Sequence, residues 1–235
     1  MKIMNKLLYV NKHDTASKLY SPAKAIVLMK ERAVAKFIET AEAHISLNLN
    51  PKYPDQQLRA SVNLPKGLGK LVKVAVIAQG EKILQAMEAG AFVAGSDDLV
   101  DAIASGQLNF DKLVATPDAM PLIAKLGRIL GPRGLMPSPK AGTVTLDIST
   151  AISDFKKGKL QYKLDKTGVI HVPFGKVNFS SDDLLLNFQA LLESIKKNSP
   201  SGTRGNLWKS TYICSTMGPS FAIDIMYTYR NQLSS

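Results

Sequence analysis

The sequence predicts a mixed fold of α/β and α+β character, in which residues 68–158 differ from the two flanking segments, 1–67 and 159–235. In the flanking segments apolar and polar residues alternate with a period of two, which indicates strands with one wet face. In the middle segment apolar runs are nearly continuous and alternate with helical stretches, as in a parallel sheet covered on both faces. If the flanking segments form one domain, the middle one is an insertion.

The first flanking segment is expected to contain a helix followed by two strands. Ser21 and Pro22 form an N-cap and first-turn signal, and the helix should run to about Ala35. The alternation over 41–49, repeated over 58–64, predicts two strands that each bury one face. Strands of this kind usually belong to an antiparallel sheet.

The middle segment alternates strands with helices, which predicts a small, doubly wound parallel sheet. Its strands are expected at 72–78, 92–94 and 113–115. Its helices are expected from Glu81 to about Ala89, after Ser96 and after Thr116-Pro117. Asp97 and Asp98 support the second helix, because carboxylates are favourable at a helix amino end.

The last flanking segment returns to alternating strands around one helix. Its strands are expected at 160–164, 169–172, 207–216 and 220–225, with a loop over 198–205. The sequence Asp165-Lys166-Thr167-Gly168 is typical of a turn between the first two strands. Ser181 opens the helix. The stripe that should face a core is Leu184, Phe188, Leu191, Leu192 and Ile195.

Composition restricts the class of protein and of partner. Apolar residues make up 45% of the 235 residues, which is enough to bury a core. No apolar run reaches the roughly 18 residues of a membrane span. The net charge of +11 lies mainly in the flanking segments, +6 in 1–67 and +4 in 159–235, against +1 in the middle. If both ends belong to one domain, that domain should bind a polyanion.

Cysteine and histidine usage predicts neither a disulfide nor a metal site. Cys214 is the only cysteine, and a reducing compartment is the simplest interpretation. The three histidines, His13, His44 and His171, lie far apart, and no two have the spacing of metal ligands. We therefore expect no metal and no cofactor.

A parallel sheet raises the alternative of a nucleotide-using enzyme, but the glycine motifs do not favour it. Gly67-Leu68-Gly69 precedes its strand, whereas a dinucleotide fingerprint follows one. Gly131-Pro132-Arg133-Gly134 lacks the Gly-Lys-Ser/Thr ending of a phosphate loop. No Ser/His/Asp or Cys/His set stands out, although a triad assembled only in space would leave no such spacing. Besides a protein that binds a specific RNA and a nucleotide-using enzyme, the third hypothesis is a basic protein that acts as a nonspecific chaperone of RNA.

The segment Lys36-Phe37-Ile38-Glu39-Thr40 is the first candidate RNA contact. It lies at the junction of the predicted helix and strand. There an aromatic ring could stack on a base or ribose while Lys36 meets a phosphate. The alternative is that Phe37 anchors the core.

The second candidate contact is the segment 210–218. On a strand, Ser210, Tyr212, Cys214 and Thr216 share one face, where hydroxyls can bond phosphates and 2′-OH groups. Glycine after Met217 would let an RNA backbone come close, since it has no side chain. The alternative is an ordinary tight hairpin.

Five stretches of the chain carry a resemblance to a known family. They are KLGRILGPRGLMPSPKAGTV from Lys125, KFIETAEAHISLNLNPKYPDQQLRASVNLPKGLGK from Lys36, FDKLVATPDAMP from Phe110, DKTGVIHVPFGKVNF from Asp165 and STYICSTMGPS from Ser210. These stretches closely resemble the ribosomal protein L-one family of the large subunit. They occur in the family's order and cover almost the whole chain from about Ser21 to Ile225.

The resemblance implies that domain I combines 1–67 with 159–235, while domain II, 68–158, is a Rossmann-like three-layer α/β insertion. It also implies a double hinge between them, which we place at Gly67, Gly69 and Gly158. Domain I would bind a helix and loop structure in large-subunit rRNA. The RNA contacts at matching positions are Lys36, Phe37, Glu39, Thr40, Lys166, His171, Ser210, Thr216, Met217 and Gly218.

The resemblance also implies a role and a set of partners. The protein would be a structural constituent of the large ribosomal subunit, not an enzyme. It would form the head of the mobile stalk that moves as deacylated tRNA leaves the E site. Bacterial members of the family also repress their own mRNA, so that mRNA is a further expected partner. Other parts of the large subunit complete the set, and no membrane is expected.

The stretch DKLVATPDAMPLIAKLGRILGPRGLMPSPKAGTVTLDI from Asp111 has a plastid or cyanobacterial character. No Ser- and Arg-rich transit peptide precedes it, so we expect plastid encoding and a ribosome of the chloroplast stroma. A bacterial cytoplasm is the alternative. Residues 1–20 and 226–235 are assigned no contact.

Overall fold

The computed structural model describes residues 18–139, 142–200 and 206–225, which form two compact units. Among these residues, unit 1 combines those up to Gly69 with those from Tyr162 onward, and unit 2 comprises those from Lys70 to Gln161. These boundaries lie two and three residues further along the chain than the cuts after Gly67 and Gly158. The end segments left unassigned, apart from 18–20, and most of the predicted loop 198–205 lie outside the described residues.

The described residues form α-helices and β-strands that we number along the chain. The helices are α1 (Pro22–Arg32), α2 (Glu81–Glu88), α3 (Asp97–Ala104), α4 (Met120–Ala124), α5 (Gly127–Leu130), α6 (Ile148–Lys157) and α7 (Ser181–Lys197). The strands are β1 (Thr40–Leu47), β2 (Arg59–Asn63), β3 (Val74–Ile77), β4 (Val93–Gly95), β5 (Lys112–Ala115), β6 (Lys159–Lys163), β7 (Val169–Lys176), β8 (Trp208–Ser215) and β9 (Phe221–Ala222). Pro54–Gln56 and Pro117–Ala119 are short 3₁₀ turns. No helix of this part of the chain is long and apolar enough to cross a membrane.

A four-stranded sheet of order β7-β1-β8-β9 is the main sheet of unit 1. All its neighbouring strands are antiparallel, as the alternating pattern predicted. Strand β1 comes from the first quarter of the chain, yet it is hydrogen-bonded on both sides to strands from the last third. Its first residues pair as Thr40 with Lys176 and Ala41 with Ser215. Strands β2 and β6 form a separate pair.

One face of the main sheet is buried and the other is wet. Along β1 every second residue from Ala41 to Leu47 is buried, and the residues between them are partly exposed. Helices α1 and α7 cover the buried face. The predicted stripe of α7 is confirmed, since all its members are at most 2% exposed. We call the other side of the sheet the open face.

Unit 2 has the parallel sheet that the sequence predicted, in the order β4-β3-β5. All four residues of β3 are buried, which accounts for its unbroken apolar run. On one side Val74 and Val76 pack with Ile152 and Phe155 of α6. On the other side Ala75 and Ile77 pack with Ile103 of α3, Ile123 of α4 and Leu130 of α5. The sheet therefore lies between two helical layers.

Several element ends differ from the sequence prediction. Helix α1 stops at Arg32, three residues early, because Ala33 adopts an extended backbone. Strand β9 covers only Phe221–Ala222 and not the whole of 220–225. By contrast, helix α7 begins at Ser181 as predicted, and its N-cap is Ser180, whose hydroxyl accepts from the amide of Asp183 at 3.0 Å.

Asn187 of α7 links the covered side of the sheet to the segment that leaves β2. Its side chain is fully buried. The amide group donates to the carbonyls of Gly67 and Phe174, both at 2.9 Å, and its oxygen accepts from the amide of Lys66 at 3.0 Å. One side chain therefore satisfies three backbone groups that have no sheet partner there.

Replacing Asn187 with alanine should lower the free energy of unfolding by about 1–3 kcal/mol, because buried backbone groups lose their partners. Urea unfolding followed by circular dichroism measures the change. Glu193→Ala is the matched control, since Glu193 is exposed on the same helix. Equal stabilities of the two variants would contradict the role assigned to the Asn187 amide.

Candidate nucleic-acid interface

All ten predicted RNA contacts lie in unit 1. Six of them lie on two loops that follow or precede sheet strands, and we call these the contact loops. The first contact loop is 33–39, between α1 and β1, and the second is the turn 216–218 after β8. Thr40 begins β1, while Ser210 and His171 lie on strands β8 and β7. Lys166 is exposed in the turn before β7.

Glu39 joins the two contact loops. Its carboxylate accepts from the amide of Ala35 at 3.0 Å and from the amide of Met217 at 2.9 Å. The side chain is only 2% exposed. Burial acts to raise the pKa of Glu39, but donors from Met217, Ser215 and Ala35 outweigh it, so the pKa lies below its ordinary value. Glu39 thus positions the loops, and its carboxylate offers little surface to a ligand.

Thr40 and Thr216 hold the start of the sheet and the second contact loop together. The amide of Thr40 donates to the Thr216 hydroxyl at 3.0 Å, and the amide of Thr216 donates to the Thr40 carbonyl at 3.1 Å. Lys176 donates its ammonium to the Thr40 hydroxyl at 2.7 Å. Thr216 remains exposed, so its hydroxyl keeps capacity for a further hydrogen bond.

Phe37 at 56% and Met217 at 58% are among the large apolar side chains that the contact loops expose. Exposure of Phe37 excludes the alternative that it anchors the core. Behind Met217, a Cβ at Gly218 would lie 2.3 Å from the Ser215 hydroxyl, so only glycine fits without rearrangement. The loops therefore present an aromatic ring, a thioether and a bare backbone side by side.

The open face of the sheet carries polar groups from three strands. In register, His44 faces His171 on one side and Tyr212 on the other, and Ser46 faces Ser210. The two imidazoles are bonded through their Nδ1 atoms at 2.8 Å. Burial and the neighbouring His171 lower the pKa of His44, and Glu42 opposes them. The open face therefore presents imidazoles and hydroxyls that can donate or accept hydrogen bonds, beside the carboxylate of Glu42.

Asp165 orders the turn that carries Lys166. Its carboxylate accepts from the amides of Thr167 and Val169, both at 2.8 Å, and from the Thr167 hydroxyl. These bonds, that from Val169 first, lower the pKa of Asp165 to about 2. The Nε2 atom of His171 lies 3.5 Å from the same carboxylate. The predicted turn is confirmed, and the depressed pKa keeps the carboxylate of Asp165 ionised at neutral pH.

Known proteins resemble this chain over most of its length, including both units. Residues 29–219 match the ribosomal protein L1p/L10e family. The large ribosomal subunit protein uL1c of Porphyra purpurea is 61% identical over 225 residues, which cover 96% of this chain and 98% of that protein. The uL1 protein of Trichormus variabilis is 59% identical over 206 residues, or 88% and 87% of the two chains.

The chain belongs to the ribosomal protein L1p/L10e family. The family expected from the sequence is therefore confirmed. As an L1-family protein, the chain is a structural protein of the large ribosomal subunit and not an enzyme, which removes the nucleotide-using hypothesis. Binding of RNA is typical of this family.

The L1 relatives also bear on location. Besides the Porphyra purpurea protein, uL1c of Guillardia theta is 58% identical over 225 residues, 96% of each chain. These plastid-type relatives confirm the expected plastid origin, and the cyanobacterial relative fits the stated alternative.

The sequence did not predict the hydrogen bonds that Lys176, Asp165 and His44 make in the candidate interface. Lys176 and Asp165 act on predicted contacts, Thr40 and the Lys166 turn. The alternation over 41–49 already placed His44 on the wet face. Its partners could not be found that way, because they come from strands more than a hundred residues away.

Glu39→Gln should lower the free energy of unfolding at pH 7 by about 1–3 kcal/mol, because one amide donor then meets an NH₂ group. The folded-state pKa of Glu39 is depressed, so its contribution is present at neutral pH and is lost as pH falls through that pKa. The stability difference from wild type should therefore shrink between pH 7 and pH 3 in urea titrations. A difference that stays constant over this range would contradict the assignment.

Proposed function

We propose that unit 1 of this L1-family protein binds a folded element of large-subunit rRNA through the two contact loops and the adjoining open face. The observation that carries the proposal is the Glu39 carboxylate, which bonds amides on both loops. It brings together contact residues that are 178 positions apart in sequence. The resulting surface combines an exposed ring, hydroxyls, close backbone and lysines, which is the chemistry of RNA recognition.

Each group on this surface has a distinct part in binding. Phe37 stacks on an unpaired base or ribose, and Met217 packs beside it. Thr216 bonds a phosphate or a 2′-OH group, while Gly218 allows the RNA backbone to approach. The cations Lys36 and Lys166 contact phosphates, and Ser210 and His171 extend the polar surface along the sheet. The basic balance of 1–67 and 159–235 supports the same location.

We further propose that unit 2 is carried on this RNA anchor as the mobile part of a ribosomal stalk. The chain passes between the units twice, near Gly69 and near Gly158. Gly67, Gly69 and Gly158 all have positive φ, at 68°, 68° and 113°, a conformation that favours glycine. Hinge motion at these positions would allow the stalk to move as deacylated tRNA leaves the E site.

Repression of the protein's own mRNA is a second proposed consequence of the same surface. An mRNA that presents the fold of the rRNA site would meet the same ring, hydroxyls and backbone. Binding to the two RNAs is then mutually exclusive, so free protein accumulates on the mRNA only when rRNA sites are filled. Competition between the two RNAs for one protein preparation tests this directly.

Phe37→Ala should weaken binding of an rRNA fragment by about 1–3 kcal/mol, the usual loss when a stacked base loses its ring. Filter binding at fixed salt measures the change. Tyr53→Ala is the matched control, because Tyr53 is an aromatic residue of unit 1 with 55% exposure and should leave affinity unchanged. The salt dependence should be the same in both variants, since no phosphate-bound cation is removed.

Equal affinity of the Phe37 variant and wild type would remove the ring from the interface. Equal affinity of wild type for the rRNA fragment and for a scrambled RNA of the same length would instead favour the nonspecific RNA chaperone hypothesis.

Thr216→Val should weaken the same complex by about 1–3 kcal/mol, because the hydroxyl is lost and its RNA partner is left desolvated. The variant also removes the acceptor of the Thr40 amide, so the free energy of unfolding is measured in parallel. A loss of stability without any loss of affinity would assign Thr216 a structural role alone.

A further inference from the structure

Three side chains on the open face converge in a way that the proposed RNA contacts do not require. The Nε2 atom of His44 lies 3.2 Å from Cys214 Sγ and 4.0 Å from the Glu42 carboxylate. One ligand atom from each of Glu42, His44 and Cys214 lies within 4.8 Å of the other two. Glu42 and Cys214 are directly paired across β1 and β8, so the backbone itself holds two corners of this triangle.

The hydrogen bonds behind His44 determine which of its nitrogens carries the proton. Asp165 stays ionised and accepts, so the Nε2 atom of His171, 3.5 Å away, carries a hydrogen. The Nδ1 atom of His171 is then an acceptor, and it bonds the Nδ1–H of His44 at 2.8 Å. The Nε2 atom of His44 is left with a free electron pair that points to Cys214 and Glu42.

The same pattern of hydrogen bonds around a histidine is common in metal sites. A ligating histidine usually donates its other ring N–H to an acceptor, which fixes the tautomer and raises the basicity of the ligand. Imidazole nitrogen, thiolate sulfur and carboxylate oxygen are together the ligands of Zn²⁺. All three side chains are partly buried, so an ion held among them keeps one side open to solvent.

We propose that Glu42, His44 and Cys214 form a binding site for a zinc-type divalent ion, with a fourth position open to water. His44 ligates through Nε2, Cys214 through Sγ, and Glu42 through one carboxylate oxygen. His171 and Asp165 are positioning residues that act through His44. Binding replaces the proton of the Cys214 thiol, which leaves to solvent as the thiolate bonds the ion.

The inference does not rest on the proposed RNA function, because it concerns the free protein. Its ordinary alternative is a set of hydrogen bonds in which the Cys214 thiol donates to His44 Nε2 and no ion is held. The two differ in the state of the sulfur, which is a thiolate in one and a thiol in the other.

The test is a titration of the reduced, full-length protein with Co²⁺, a spectroscopic substitute for Zn²⁺. We expect one ion per chain and a thiolate-to-cobalt charge-transfer band, both abolished by added Zn²⁺. Cys214→Ser should remove the band, and Glu42→Gln should weaken binding at least about tenfold. His171→Phe should weaken it about 10–100-fold, the range found for groups directly behind a ligand, and Asp165→Asn should act in the same direction through His171. Glu193→Gln, an exposed carboxylate elsewhere in unit 1, should change nothing.

A second measurement uses wild type only and needs no folded variant. Cys214 is the only cysteine, so its reaction with a thiol reagent reports on this sulfur alone. Zn²⁺ should slow that reaction, and a chelator should restore it. Absence of the charge-transfer band, or an alkylation rate that Zn²⁺ leaves unchanged, would overturn the proposal. Binding of the rRNA fragment in the presence of chelator is recorded separately, so failure of either proposal is seen without the other.

Discussion

The antiparallel pairing of β1 with β7 on one side and β8 on the other is the constraint on which the rest of unit 1 depends. Pairing β1 with β7 and β8 closes chain loops of more than a hundred residues, but the conformational entropy that this costs grows only slowly with loop length. The hydrogen bonds of β1 to two neighbours and the burial of one of its faces offset that cost. Because register has a period of two, a shift of one residue would place Ala43 and Ile45 in water and His44 in the core. The buried face therefore determines what the open face presents.

The same pairing explains why a carboxylate can be buried at the edge of a binding surface. A buried charge is unfavourable unless hydrogen bonds replace its water. Glu39 lies immediately before β1, where the ladder to β8 brings the amide of Met217 within reach, and the early end of α1 leaves the amide of Ala35 free to donate. The carboxylate thus satisfies two backbone donors and holds two exposed loops in one arrangement. Preorganisation of this kind reduces the ordering cost of binding an RNA.

Much of the fold could be predicted from local pattern, and the errors have local causes. The alternation of β1, the unbroken apolar run of β3 and the stripe of α7 all report burial, which the structure confirms. Predictions of element ends were less accurate. Helix α1 was expected to reach about Ala35, but the carboxylate of Glu39, four residues further along the chain, accepts the hydrogen bond of the Ala35 amide.

What the sequence determined by itself is which residues are apolar, at what period, and where the basic charge lies. These properties are local, and they are sufficient for the two kinds of sheet, for the wet face of β8 and, through the resemblance of long stretches, for the family. Only the tertiary structure decided that Glu39 lies behind the contact surface and that His44 meets both His171 and Cys214. Those contacts join residues more than a hundred positions apart, and their geometry comes from strand register. Spacing along one chain carries no record of register between distant strands, so such a cluster becomes visible only once the sheet has formed.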